Sequence, residues 1–409
     1  MGRFHSDWSL AQPIAAGVSS AFIGFASAFA IVLFGLRAAG ATQDQATSGL
    51  LILCLAQAVL AVVLSVTFRT PLSFAWSTPG AALLVASQMG TGDFRSAVGA
   101  FLVCGLLIAI TGLIPALRAM VVRIPAPISG ALLAGVLLPI CLAPILAVGN
   151  TPLLVLPTIA VWLVMMRLRP VLAVPMAMLS TILVVLVSTT VSDITVGFPA
   201  LEFVAPVFEP LVILSLGVPL YLVTMAGQNV PGFAVLRVMG YRDLPVRAIL
   251  AGTGIMTAVC SLFGGHAVNL SAITAAMVAG PDAHPDRGER WVAAVSGGLT
   301  YVVLGLSASA ATALVVAAPE GVIATAAGLA LIGALGTAIT TSLADPQFRL
   351  TASVTFLTVV SGISLAGVSS AFWGLVTGFL VMFWVDLKGQ VRPKDSGLEG
   401  GTRNAIPTT

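Results

Sequence analysis

The sequence predicts an all-α polytopic membrane protein, built from fourteen transmembrane elements as two inverted seven-element repeats. Three observations predict it. The 409-residue chain is 58% hydrophobic and 8% charged, with a mean hydropathy of +1.08, where soluble domains carry about 25% charged residues. Apolar runs near the bilayer-crossing length of about 20 residues recur from Pro13 to Val385. Two further apolar stretches, one in each half, are interrupted by small, polar, turn-forming residues. Strict alternation, the pattern of a barrel, is absent.

Taken in order, residues 1–12 form a short polar N-terminal segment, expected to be cytoplasmic and without a signal peptide. Apolar runs then place full spans near 13–36 and 48–68. The third element opens on Phe74-Ala75-Trp76-Ser77-Thr78-Pro79-Gly80 and turns helical toward Gly90. Spans near 97–117, 126–148, 151–166 and 170–192 complete the first repeat, 13–192. Residues 193–208 read as an external linker. The second repeat, 209–387, begins with spans near 209–236 and 246–263. Its broken element, the tenth, opens on Phe263-Gly264-Gly265-His266-Ala267-Val268-Asn269-Leu270-Ser271 and runs toward Gly280. Spans near 291–310, 316–336, 350–366 and 370–387 follow. The polar, Gly/Pro-rich tail 388–409 reads as disordered.

Charge tests the count. With a cytoplasmic N-terminus, only Arg37 and Arg95 of the 18 Lys/Arg residues fall outside. Lys/Arg excess in short loops marks the cytoplasmic side, and one span more or fewer scrambles the partition. Both termini are therefore expected in the cytoplasm. The +3 net charge needs no nucleic-acid partner. Seven elements per half give the halves opposite orientation. A weak echo of the repeat is Pro127–Leu138 against Pro319–Leu331.

Each broken segment leaves a helical part of about 10–12 residues, roughly 16 Å at 1.5 Å per residue, which is half a bilayer core. Paired, Gly/Pro-interrupted segments in matching halves point to a transporter binding site. In the first, Thr78 is placed to cap a helix with Pro79 at its first position. In the second, Asn269 or Ser271 caps. Opposed halves aim both helix starts at the midplane, where free N–H groups suit an anion. In the eighth element, Gln228 and Asn229 lie at membrane depth, one or two turns beyond Tyr221 and Thr224. Two adjacent amides there demand either interhelical partners or a ligand. His266 is the one histidine in an apolar stretch, and fits proton relay, substrate contact or a structural hydrogen bond equally. Glu209 and Glu320 begin spans on the external side, and no embedded carboxylate stands out.

Cys54, Cys104, Cys141 and Cys260 lie in apolar stretches without metal spacing and read as reduced packing residues. No phosphate loop, zinc motif, nucleophile elbow or carboxylate pair is present. The expectation is a non-enzyme without metal or cofactor.

The stretches Ala-Trp-Ser-Thr-Pro-Gly, Gly-Gln-Asn-Val-Pro-Gly and Gly-Gly-His-Ala-Val-Asn-Leu, within 74–84, 227–237 and 263–280, resemble the benzoate/proton symporter (BenE) family. That family is similar to uracil/xanthine permeases and sulfate/bicarbonate-type anion transporters. The resemblance covers about 13–387. It implies a core domain, about 13–123 plus 209–315, and a gate domain, about 124–192 plus 316–387. It further implies elevator-like movement of the core, with a possible homodimer through the gate. The substrate-binding residues it implies are Trp76, Ser77, Thr78, Pro79, Gln228, Asn229, His266, Asn269, Ser271 and Thr274; to these the aromatic Phe263 at the second break is added, with Trp76 and Phe263 expected to flank a ring. Gln228 and Ile273 stand where uracil permeases carry acidic residues, which favours a ligand bringing its own negative charge. The function expected is proton-coupled uptake of benzoate across a bacterial inner membrane, with His266 as the proton-coupling candidate. A nucleobase or inorganic-anion transporter, or a passive channel, are the alternatives.

Overall fold

A computed structural model describes residues 10–87, 93–122, 125–189 and 197–386. The outermost N-terminus, the end of the third element around Gly90, the first linker residues and the 388–409 tail lie outside the described residues.

Helices occupy the positions of the expected spans: α1 (Ala11–Ala38), α2 (Gln43–Phe68), α3 (Thr78–Ser87), α4 (Phe94–Leu113), α5 (Pro115–Val122), α6 (Ala126–Asn150), α7 (Pro152–Leu168) and α8 (Pro170–Ser188). The second half gives α9 (Pro210–Val212), α10 (Val218–Thr224) and α11 (Val230–Val238), joined by π-turns at Ile213–Gly217 and Met225–Asn229. Then come α12 (Val246–Ser261), α13 (Ile273–Ala279), α14 (Trp291–Leu306), α15 (Ala308–Ala317), α16 (Val322–Leu343), α17 (Arg349–Val360) and α18 (Ser370–Val381). By length and hydropathy, seven helices among the described residues qualify as crossings, and eight if α14 and α15, bent by 53°, are one span. The fourteen-element expectation counts shorter apolar helices too.

Local chemistry explains the boundaries. Thr42 and Gln45 form a reciprocal capping box at the start of α2. Asp93 accepts from the Arg95 amide at the start of α4. The expected span 97–117 stops earlier, because Ile114 is extended before Pro115 and a helix avoids the residue preceding proline. The expected span 291–310 likewise breaks at Ser307.

The helices pack in pairs that join the two halves: α1 and α2 on α14, α4 on α12, and α6 on α16 and α17. Close backbone approach is built in. A Cβ at Gly105 in α4 would stand 2.6 Å from the Ala258 amide nitrogen of α12, as small-residue packing in lipid requires.

At the centre lie two three-residue strands, β1 (Phe74–Trp76) and β2 (Val268–Leu270). They pair antiparallel with Phe74 opposite Leu270, Ala75 opposite Asn269 and Trp76 opposite Val268. The ladder continues through Ser77 N–H to Ala267 O (2.8 Å) and Ser271 N–H to Ser73 O (2.9 Å). Each broken element thus supplies the other's backbone partners, which buried N–H and C=O groups need in a membrane interior.

Candidate functional site

The antiparallel crossing sends α3 and α13 away from opposite ends of one short ribbon. Each helix is started by a serine. Ser77 Oγ accepts from the Gly80 amide (3.1 Å) and Ser77 O from the Ala81 amide (2.8 Å). Ser271 Oγ accepts from the Thr274 amide (3.2 Å). This corrects the sequence expectation in the first repeat: Ser77 is the cap, Thr78 opens the helix, and Pro79 is its second residue. In the second, Ser271 caps, while Asn269 is held in the strand.

The caps are tied into a hydroxyl cluster. Thr224 Oγ1 donates to Ser77 Oγ (2.8 Å). Thr274 Oγ1 lies 2.6 Å from Ser271 Oγ and 2.7 Å from Ser73 Oγ. Ser73 and Thr224 were not among the expected site residues, although Thr224 had been placed on the same helix face. Tyr221 turns instead to Thr111 (2.7 Å). Thr257 accepts from the Val268 amide (2.9 Å) and secures the outer edge of β2.

The amides divide in role. Asn229 Oδ1 accepts from the Leu270 amide (2.9 Å) and its Nδ2 approaches Met225 Sδ (3.3 Å), so it pins the second π-turn to β2. Gln228, 8% exposed, has no hydrogen-bond partner among the described residues. The π-turn that presents it precedes Pro231, whose missing N–H breaks the α-helical ladder. Asn269 Nδ2 donates to Leu270 O (3.0 Å), and its buried Oδ1 has no partner. His266 is wholly buried. Its Nε2 lies 3.0 Å from Ser77 O, and its Nδ1 is unpartnered.

Two aromatic expectations change. Phe263 does not join the crossing: its ring meets Phe203 of the linker edge-on at 6.2 Å, and its carbonyl accepts from Ser48 (2.9 Å). The strand register explains this. The residue equivalent to Phe74 is Val268, so Phe263 stands ahead of the repeat position that Phe74 occupies. Trp76 is at the crossing but buried, with Phe25 at 5.8 Å and Tyr301 at 6.0 Å.

None of the expected site residues lines the large cavity, about 770 Å³. Its walls include Ile31 and Phe34 of α1, Leu83 of α3 and Val136 of α6, with Ser215 and Ser369 across it. Leu83, one turn beyond Pro79 in α3, is the residue of the first broken element's inner half that reaches this cavity. A small crevice of about 20 Å³ flanks Gly227 on another side, against Leu132 and Leu133. No group of His, Cys, Asp and Glu suited to a metal occurs among the described residues.

The family model described as benzoate membrane transport protein matches residues 7–384. The chain is 38% identical over 365 residues to the inner membrane protein YdcO of Escherichia coli (strain K12), covering 89% of this chain and 93% of that one. It is 31% identical over 379 residues to the benzoate membrane transport protein of Acinetobacter baylyi (strain ATCC 33305 / BD413 / ADP1), covering 92% and 95%. Among solved structures it is similar to the transmembrane domain of a cyanobacterium bicarbonate transporter, BicA (TM-score 0.57, 17% identity, 96% of this chain and 99% of that one). It is also similar to the murine anion transporter Solute Carrier 26 family member A9 in the inward-facing state (TM-score 0.60, 14% identity, 93% and 69%). At these identities the two structures share the fold alone. The serine-capped crossing, the apolar helices around it and the match across nearly the whole length make this chain a membrane transporter belonging to the benzoate membrane transport protein (BenE) family.

Proposed function

We propose that the protein imports an aromatic carboxylate, most simply benzoate, together with a proton across a bacterial inner membrane. The observation that carries this reading is the β1–β2 crossing, where His266 and Asn269 offer unpaired buried polar atoms beside two serine-capped helix starts, with Gln228 on the π-turn packed against β2. The helix starts at Ser77, Thr78, Ser271 and Thr274 bring two positive dipole ends to the crossing without a buried cation. Pro79 holds the first helix start, Asn229 the second, and His266 takes the proton. The 31% identical benzoate membrane transport protein supplies the substrate class.

The architecture proposed has fourteen elements in two inverted repeats of seven, with both termini cytoplasmic. The packing of α1, α2, α4, α12 and α14 in one group, and of α6, α16, α17 and α18 in another, supports a core moving against a gate. Dimerisation through the gate is part of the same reading.

The test is purified protein in proteoliposomes. An inward-directed proton gradient should drive benzoate accumulation, and saturable counterflow should exclude a channel. Bicarbonate and uracil should fail to compete. No accumulation under the gradient sinks the symport, and unchanged transport by both Gln228→Ala and Asn269→Ala sinks the site.

A further inference from the structure

The crossing shows which kind of hydrogen-bonding atom is missing from it. His266 Nε2 faces the carbonyl oxygen of Ser77 at 3.0 Å. A carbonyl only accepts, so Nε2 carries the hydrogen, and Nδ1 of the neutral ring is left as a lone-pair acceptor. That Nδ1 is buried and unpartnered. Asn269 is fixed in the same sense: its Nδ2 donates to Leu270 O, so the unpartnered buried atom is the acceptor Oδ1. Both orphans, one just before β2 and one within it, are acceptors. A bare carboxylate is also acceptor-only, and would satisfy neither while adding lone-pair repulsion in a low-dielectric site.

We infer that the ligand completing this site is the carboxylate and its proton held as one neutral unit, with the proton lying against Nδ1 of His266. This rests on the aromatic-carboxylate reading and specifies the species recognised. One proton from external water joins either a carboxylate oxygen or Nδ1 and is shared between them. It leaves with the carboxylate to water on the other side, so only O–H and N–H bonds form and break. Of the other ionisable side chains on the elements around the crossing, Arg37, Asp44, Arg95, Arg237 and Arg247 lie in the terminal turns of their helices; the rest are the thiols and phenols of Cys54 in α2, Cys104 in α4, Tyr221 in α10, Cys260 in α12 and Tyr301 in α14, types that are ordinarily neutral at pH 7. No Asp, Glu or Lys is buried among the described residues, and buried Arg290 and His284 belong to the loop beyond α13. The asymmetry of the repeat agrees: Leu72 stands where the first half would carry a counterpart of His266, so the pair of caps has one proton acceptor.

The experiment uses ligands that separate charge from hydrogen-bond donation, in counterflow of labelled benzoate by the reconstituted wild-type protein. Benzamide is neutral and carries N–H donors where the acid carries O–H. It should compete, with equal potency across the pH range in which histidine titrates. Benzenesulfonate keeps the ring and the charge but only accepts, and should not compete at any pH. Benzoate itself should bind more tightly as pH falls. His266→Gln, which retains an N–H for Ser77 but no titratable atom, should lose at least tenfold of gradient-driven accumulation and flatten the pH dependence of benzoate binding. Competition by benzenesulfonate, failure of benzamide to compete, or wild-type accumulation by His266→Gln overturns the inference while leaving benzoate transport standing. Absence of benzoate counterflow overturns both.

Discussion

Ser77 serves the site in three ways, its hydroxyl as cap and as partner of Thr224, its carbonyl as partner of His266. Ser77→Ala leaves the Gly80 amide and Thr224 without their shared oxygen. The expected cost is about 1–2 kcal/mol, read as a lower unfolding temperature in detergent, with transport impaired as well. A variant as stable as wild type would show that Thr78 can take over the cap. Gly264 is a second fixed point: its φ of +82° turns the chain from α12 into the second broken element, and a Cβ there would stand 2.8 Å from Gln45 O. The sequence made Ser77, His266 and Asn269 legible as a group, because polar residues in apolar surroundings are few. It did not reveal which serine or threonine caps, since Ser-Thr-Pro-Gly fits a cap at either position. Nor did it reveal that Phe263 lies off the crossing, because a phenylalanine that opens each broken element says nothing of strand register.

The eighth element shows what proline does to a membrane helix. From sequence it reads as one span over 209–236, whereas the structure inserts two π-turns, each followed within two residues by Pro219 or Pro231. Pro219 has no N–H, so the Ser215 carbonyl loses its α-helical donor. Ser369 Oγ donates to that carbonyl at 2.6 Å, and both residues border the 770 Å³ cavity. Ser369 follows a tight turn in which Ala366 (φ 53°) and Gly367 (φ 75°) are left-handed. The contact joins residues 154 positions apart, so nothing local in the sequence announces it. In the core-and-gate reading it straps one domain to the other across the cavity. Cysteines at positions 215 and 369, bridged by a short bismaleimide, should stop benzoate counterflow, while each single cysteine should not. Full-rate counterflow by the bridged protein would show that the two segments stay together through the cycle.

At the scale of the molecule, the cavity and the charges make one prediction about direction. The cavity reaches Phe34 near the end of α1, Ser87 at the end of α3 and the Gly362–Ala371 turn. That is the end marked by Arg37 and Arg95, while the other Lys/Arg residues fall in segments the sequence assigns to the opposite side. Positive charge is retained in the cytoplasm, so the large cavity should open outward and the 20 Å³ crevice beside Gly227 should be the closed inner route. The four native cysteines are all buried, which gives a low background for a membrane-impermeant maleimide. Asp44, exposed at the start of α2, and Asp243, exposed between α11 and α12, lie on opposite faces in this assignment. In intact cells Asp44→Cys should label, and Asp243→Cys should label only after lysis. A cysteine replacing Val136, on the cavity wall, should label from outside, and benzoate should slow it if the cavity leads to the crossing. The reverse pattern at positions 44 and 243 would invert the molecule, and with it the direction in which the cavity admits substrate.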